Sequence, residues 1–171
     1  MTTGLDTQKP LRDIGLLGLR TVVGATFLVH GVDKLLHLGA AEADFASLGI
    51  PAAAAMAPFV AVTEAGGGAL LLAGLLTRLA GIALAGDMLV ALLTAHIADG
   101  FFVNAGGGEF VIVLGGASLA LALTGAGRFS VDAALDLERR LEQQAGLLRS
   151  RRRGEVATMR VRLGPAAGRR W

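Results

Sequence analysis

Five side chains able to do chemistry stand among apolar residues in this sequence: His30, Glu64, Asp87, His96 and Glu109. Glu64 and Asp87 lie deep within long apolar runs. His96 opens a connecting stretch, 94–110, that also holds Asp99, Phe101, Phe102, Asn104 and the glycine triplet 106–108 before closing on Glu109. Imidazoles and carboxyls exchange protons and hydrogen-bond polar head groups. Ionisable groups within apolar spans are expensive and by default mark a site or a pathway. Irregular, polar backbone at that depth must be buried in protein or face water. Stretch 94–110 therefore reads as the rim of a polar site capping a bundle of membrane helices.

His96 and Asp99 are i, i+3 neighbours, and Glu109 returns at similar height. Such groups could hold a metal, but no spacing among them is diagnostic, so no metal is assigned. A hydrogen-bonded site suits them better, for instance one holding the carbonyl pair of a quinone beside Phe101 and Phe102. Interfacial packing is an equal reading of those two phenylalanines. Asp87 and His96 are nine residues apart, on opposite faces of a regular helix, and cannot both enter one small site without a rotation. Glu64 and Asp87 differ in depth by only about 7 Å at the helical rise and can face one another. They read either as proton-handling groups or as a polar clamp. His30, Asp33, Lys34 and His37 share one helical face. His30 is expected to face inward, whereas Lys34 and His37 are expected to reach out to water at the rim. The rim set is Lys34, Asp99, Phe101, Phe102 and Asn104.

The elements that must position these groups are membrane spans. The chain of 171 residues is 53% hydrophobic and 18% charged, with a mean hydropathy of +0.60. A water-soluble domain of this size needs more charge on its surface. Four spans are expected, at about 14–36, 52–76, 79–97 and 106–124. The first is too long for a signal-peptide core, although Ala41-Glu42-Ala43 resembles a cleavage site. Between spans one and two, residues 43–51 form an amphipathic piece whose Phe45, Leu48 and Ile50 are expected to rest on the membrane surface. Ala61, Ala65, Ala69 and Ala73 form a smooth ridge that would let another helix approach closely, in this chain or in a second copy. The fold class is thus all-α: an integral membrane four-helix bundle with a short outer-face amphipathic segment and a basic cytoplasmic tail helix.

Charge divides the chain. Residues 1–127 carry a net −4 and residues 128–171 a net +6, with eleven arginines in the latter. Lys9, Arg12, Arg78 and the tail fall on one side of a four-span topology, which places both termini in the cytoplasm and the chain in a bacterial inner membrane. A helix is expected at about 130–148, with Ser130 as its N-cap, followed by an Arg run and a weak strand signal at 159–163. The tail suits anionic lipid or a soluble partner enzyme, and no motif points to nucleic acid. No cysteine is present, so thiol chemistry is excluded. No haem or flavin motif occurs.

The sequence Phe27-Leu28-Val29-His30-Gly31 with Lys34, then Leu48-Gly49-Ile50-Pro51, Glu64 with its glycines, and Gly74-Leu75-Leu76-Thr77-Arg78 resembles the DoxX family. So do His96, Gly100-Phe101-Phe102 and Gly107-Gly108-Glu109, and the ending Gly125-Ala126-Gly127-Arg128-Phe129-Ser130-Val131-Asp132. The likeness spans roughly residues 14–135 and implies a four-helix membrane bundle. The family takes its name from a subunit of a thiosulfate:quinone oxidoreductase, which implies a quinone-linked, redox-accessory role. The expectation is a membrane subunit binding a small hydrophobic redox molecule through His30, Glu64, His96 and Glu109. The alternatives are a scaffold that recruits soluble redox enzymes through its tail, and an oligomeric proton-coupled transporter using Glu64 and Asp87.

Overall fold

Glycine decides how these helices pair. The computed structural model describes residues 8–135, and those through Ala134 belong to one compact unit. The expected tail helix beyond Leu135, the Arg run and the 159–163 strand signal lie outside the described residues. The elements are α1 (Gln8–Leu36), α2 (Leu38–Ser47), α3 (Ala53–Ala73), α4 (Thr77–Ala91), α5 (Glu109–Thr124) and the short α6 (Val131–Leu135). Between α4 and α5 run a π turn (Leu92–His96) and two 3-10 turns (Ile97–Asp99 and Val103–Ala105).

α1 packs chiefly on α3, and α4 chiefly on α5. In the first pair a Cβ on Gly24 would stand 2.8 Å from the Gly68 carbonyl oxygen, and one on Gly31 would strike the backbone of Ala65 and Ala61. Backbone therefore meets backbone, as in small-residue seams between membrane helices. In the second pair a Cβ on Gly81 would lie 2.7 Å from the Ser118 carbonyl oxygen. The Ala61–Ala65 part of the alanine ridge is thus occupied by Gly31 of α1 and is not a free surface for a second copy. The α3–α4 and α1–α5 seams are less extensive. The bundle is two tight helix pairs set side by side.

Its surface is apolar. Val22, Val29, Phe59, Val62, Leu79, Ile82, Leu93, Val113 and Leu123 are all more than half exposed. Leucine and valine at this density are what lipid, not water, covers. The core holds Val23, Phe27, Leu71, Leu84 and Leu121. Together with the length of its helices this makes the chain a helical membrane bundle. α1, α3 and the α4 segment through Asp99 are long and apolar enough to cross. α5 has 16 residues and rises only about 24 Å, short of a ~30 Å hydrocarbon core.

Several boundaries differ from those the sequence suggests. α1 begins at Gln8, ahead of the first span expected from about residue 14. The connection after α1 is mostly the helix α2, which starts ahead of the amphipathic piece expected at 43–51 and ends within it. α3 stops at Ala73 because Gly74 and Leu76 both take left-handed backbone angles to reverse the chain. α5 starts at Glu109 rather than 106. The glycines before it are spent closing the loop, with Gly107 N–H donating to Phe102 O, Gly108 N–H to Gly100 O and Glu109 N–H to Phe101 O.

A polar clasp fixes the turn end of the bundle. Arg20, buried within α1, donates from Nη1 to Ala126 O at 2.8 Å and from Nη2 to Phe129 O at 2.6 Å. Asp132 is equally buried and accepts from the backbone N–H groups of Leu76 (2.7 Å) and Thr77 (3.0 Å). It thereby caps α4 and holds the left-handed Leu76 in place. Ser130 Oγ accepts from Ala133 N–H at the start of α6.

Candidate functional site

The two helix pairs part towards the loop end, and a cavity of about 380 Å³ lies between them. Phe27, Met88, Val111 and Leu114 supply a buried apolar floor, and Phe45, Leu48 and Ile50 border it from α2 and the loop after it. His30, Lys34, Glu64, Asp87 and His96 also line it. One set of polar groups from α1, α3, α4 and the π turn thus converges on one apolar chamber.

Lys34 Nζ donates to Glu64 Oε2 at 2.5 Å, joining α1 to α3. Glu64 is only 4% exposed, so this pair is charge-assisted and shielded. Gly31 brings the two backbones close enough for a four-carbon stem to reach. Asp87 meets the Glu64 carboxyl as a side-chain hydrogen-bond partner and also interacts with Lys34. Its Oδ2 is buried and accepts from no N–H or hydroxyl donor. A buried carboxyl oxygen without such a donor is costly unless a shared proton or a bound group satisfies it.

His96 enters the cavity because of the π turn. Along a regular helix nine residues place it opposite Asp87. One extra residue in a turn withdraws about 100° of rotation, which leaves the two side chains roughly 80° apart. The spacing requires a rotation if both are to enter one site, and this turn supplies it. The ring is held by Nδ1, which lies 2.7 Å from Gly106 O. A carbonyl only accepts, so Nδ1 carries the proton and Nε2 of the neutral ring is an acceptor. His30 stands against Phe110, ring centroids 6.1 Å apart.

The remaining candidates serve the loop instead. Glu109 Oε1 accepts from Val103 N–H at 3.0 Å and does not line the cavity. Asp99, Phe101, Phe102 and Asn104 are likewise absent from its walls. The two phenylalanine rings meet edge to face at 5.5 Å, and both are exposed. Asp99 lies beside Gly106, where a Cβ would come within 3.1 Å of its carboxylate. Lys34 is not a rim residue that reaches for water, because the buried Glu64 draws it inward. His37 does lie outside, exposed beside Asp33. Phe45, Leu48 and Ile50 face the cavity rather than only the membrane surface. Their amphipathic pattern was visible in sequence, but not which apolar surface it would meet. Met56, Val60, Thr94 and Phe110 also line the site, and nothing in their local sequence marks them.

The DoxX family model matches residues 15–97. The chain is 36% identical over 120 residues to "Putative oxidoreductase CatD" of Bacillus subtilis (strain 168), an alignment covering 70% of this chain and 86% of that protein. It is 30% identical over 129 residues to "Inner membrane protein YqjF" of Escherichia coli (strain K12), covering 75% and 98% respectively. No solved structure matches the chain.

Proposed function

This chain belongs to the DoxX family, and from that premise we propose that it is a quinone-binding accessory subunit of a membrane oxidoreductase. The observation that carries the reading is an apolar cavity in which five ionisable side chains converge. Its size falls within the range of small-molecule sites, which pair apolar walls with a few convergent polar groups. The Oδ2 of Asp87, which accepts from no N–H or hydroxyl donor, supplies a fit for a hydroxyl or a protonated head group. A relative named as an oxidoreductase supports the redox class.

In this reading Lys34 and His30 donate hydrogen bonds to a quinone oxygen. His96 Nε2 and Asp87 accept or return the protons that accompany reduction. Bound quinone supplies two-electron, two-proton redox chemistry. The sequence has no haem or flavin motif, so electrons are exchanged with a partner protein. Both termini lie in the cytoplasm of a bacterial inner membrane, with the 97–108 loop outside, as the basic residues at the turn end favour.

Titration of the purified protein in lipid nanodiscs with a short-chain benzoquinone tests this. Saturable binding that is lost in His96→Ala is the expected result, and binding that never saturates contradicts it. The eleven arginines of 128–171 favour one other reading, a scaffold that holds a soluble enzyme. Deleting 136–171 would then abolish recruitment while sparing quinone.

A further inference from the structure

We propose that the ligand of this cavity is an amphiphile whose apolar tail lies in the gap between α3 and α4, with its head among Lys34, Glu64 and Asp87. This rests on the quinone reading and names the class of molecule: a tailed quinone drawn sideways from the bilayer, not a water-soluble one.

The gap follows from the packing. α3 and α4 touch where Gly67 receives the Leu84 side chain, since a Cβ there would lie 2.9 Å from Leu84 Cγ. Towards the loop end they part, and Met56 and Val60 of α3 line the same cavity as Val90 of α4 and Thr94 of the π turn. Met56 and Val90 are at once cavity wall and outer surface, 37% and 55% exposed. The chamber is therefore continuous with the face that lipid covers. Both sides of the gap are apolar. Thr94 is no exception, because its hydroxyl donates to Val90 O at 2.8 Å, leaving the methyl as its apolar contribution. Phe59, Val62, Leu93 and Ile97, all more than half exposed, extend the same surface outward.

The two ends of the site thus ask for opposite chemistry. Inside stand an ion pair and a carboxyl oxygen that accepts from no N–H or hydroxyl donor. At the gap no polar group among the described residues is left to satisfy. A head that hydrogen-bonds and a tail that does not is the ligand that leaves nothing unpaired. A polyisoprenoid tail held between these helices stays in hydrocarbon over its whole length.

The test uses the whole protein in nanodiscs and a benzoquinone bearing an alkyl tail with a diazirine near its middle. After irradiation, labelled positions are mapped by mass spectrometry, with and without excess tail-less benzoquinone. The expected result is labelling at 56–62 and 90–97 that the tail-less competitor removes. Competed labelling on the α1–α5 side, at Val29, Phe110 or Val113, overturns the inference while leaving the quinone site standing. Competed labelling confined to the 97–108 loop also overturns it, since the tail then runs towards water. Labelling that the competitor never reduces overturns the quinone reading itself.

Discussion

Lys34 and Glu64 meet at 2.5 Å across the seam between α1 and α3, thirty residues apart in sequence and largely shielded from solvent. Their contact is made available by Gly31, whose missing side chain lets α1 lie on Ala61 and Ala65. Asp87, from the other helix pair, is the third ionisable group at this point. The polar end of the cavity is therefore built from both pairs, and its groups act on one another.

That coupling sets the outcome of removing one carboxyl. Glu64→Gln leaves Lys34 with Asp87 as a neighbouring anion, so the expected cost is about 1–3 kcal/mol with helicity intact. Adding Asp87→Asn strands the ammonium, and the double variant should lose more than the two single losses combined. Thermal unfolding in mild detergent over the four-member cycle measures the excess. Strict additivity would mean that Asp87 does not share Lys34.

Removing Leu93 tests the π turn. One residue fewer restores regular helix, and His96, then eight residues from Asp87, keeps its angle of roughly 80° to it. Quinone affinity should therefore stay within about threefold of wild type in the deletion variant, whereas His96→Ala should lower it by roughly tenfold or more as a hydrogen bond is lost. Circular dichroism should be unchanged. A loss in the deletion variant as large as that of His96→Ala would show that the turn does more than set the angle of the ring.

Glycines in the seams and glycines on the surface should respond oppositely. Gly31→Ala and Gly81→Ala drive a methyl group into facing backbone and should destabilise by about 1–3 kcal/mol through overpacking. Gly66→Ala has open space around it, and in a helix interior should be neutral or stabilising by about 0.5–1 kcal/mol. Unfolding midpoints of the three variants in one detergent decide this.

At the turn end, Asp132→Ala removes the acceptor for Leu76 and Thr77 N–H. Those buried donors are then unpaired, at a cost of about 1–3 kcal/mol. Asp132→Asn, which keeps one carbonyl oxygen, should recover part of it. Equal stability of the two variants would contradict a capping role.

Much of this architecture was legible because it depends on local composition. Long apolar runs mark α1, α3 and α4, and the carboxyls of Glu64 and Asp87 within two of those runs mark the polar end. What could not be read depends on contacts between distant segments. Arg20 looks like one more charge near a helix start until Ala126 and Phe129 present their carbonyls to it. Lys34 reads as a residue reaching for water until Gly31 brings α3 beneath it. α2 hides behind Gly39 and Gly49, which suggest a loop. The π turn has no pattern of its own in Leu92-Leu93-Thr94-Ala95-His96, so the rotation that brings His96 beside Asp87 is invisible in the spacing. Glu109 stands out by its charge and depth, but its carboxylate is committed to Val103 N–H.

The most direct test of the central claim is to purify the protein in mild detergent and extract what accompanies it, measuring quinone by mass spectrometry against protein. The account predicts near-stoichiometric quinone in the wild type and its loss in His96→Ala with helicity retained. A fully helical wild-type protein that carries no quinone, and takes up none when it is supplied in nanodiscs, would contradict it.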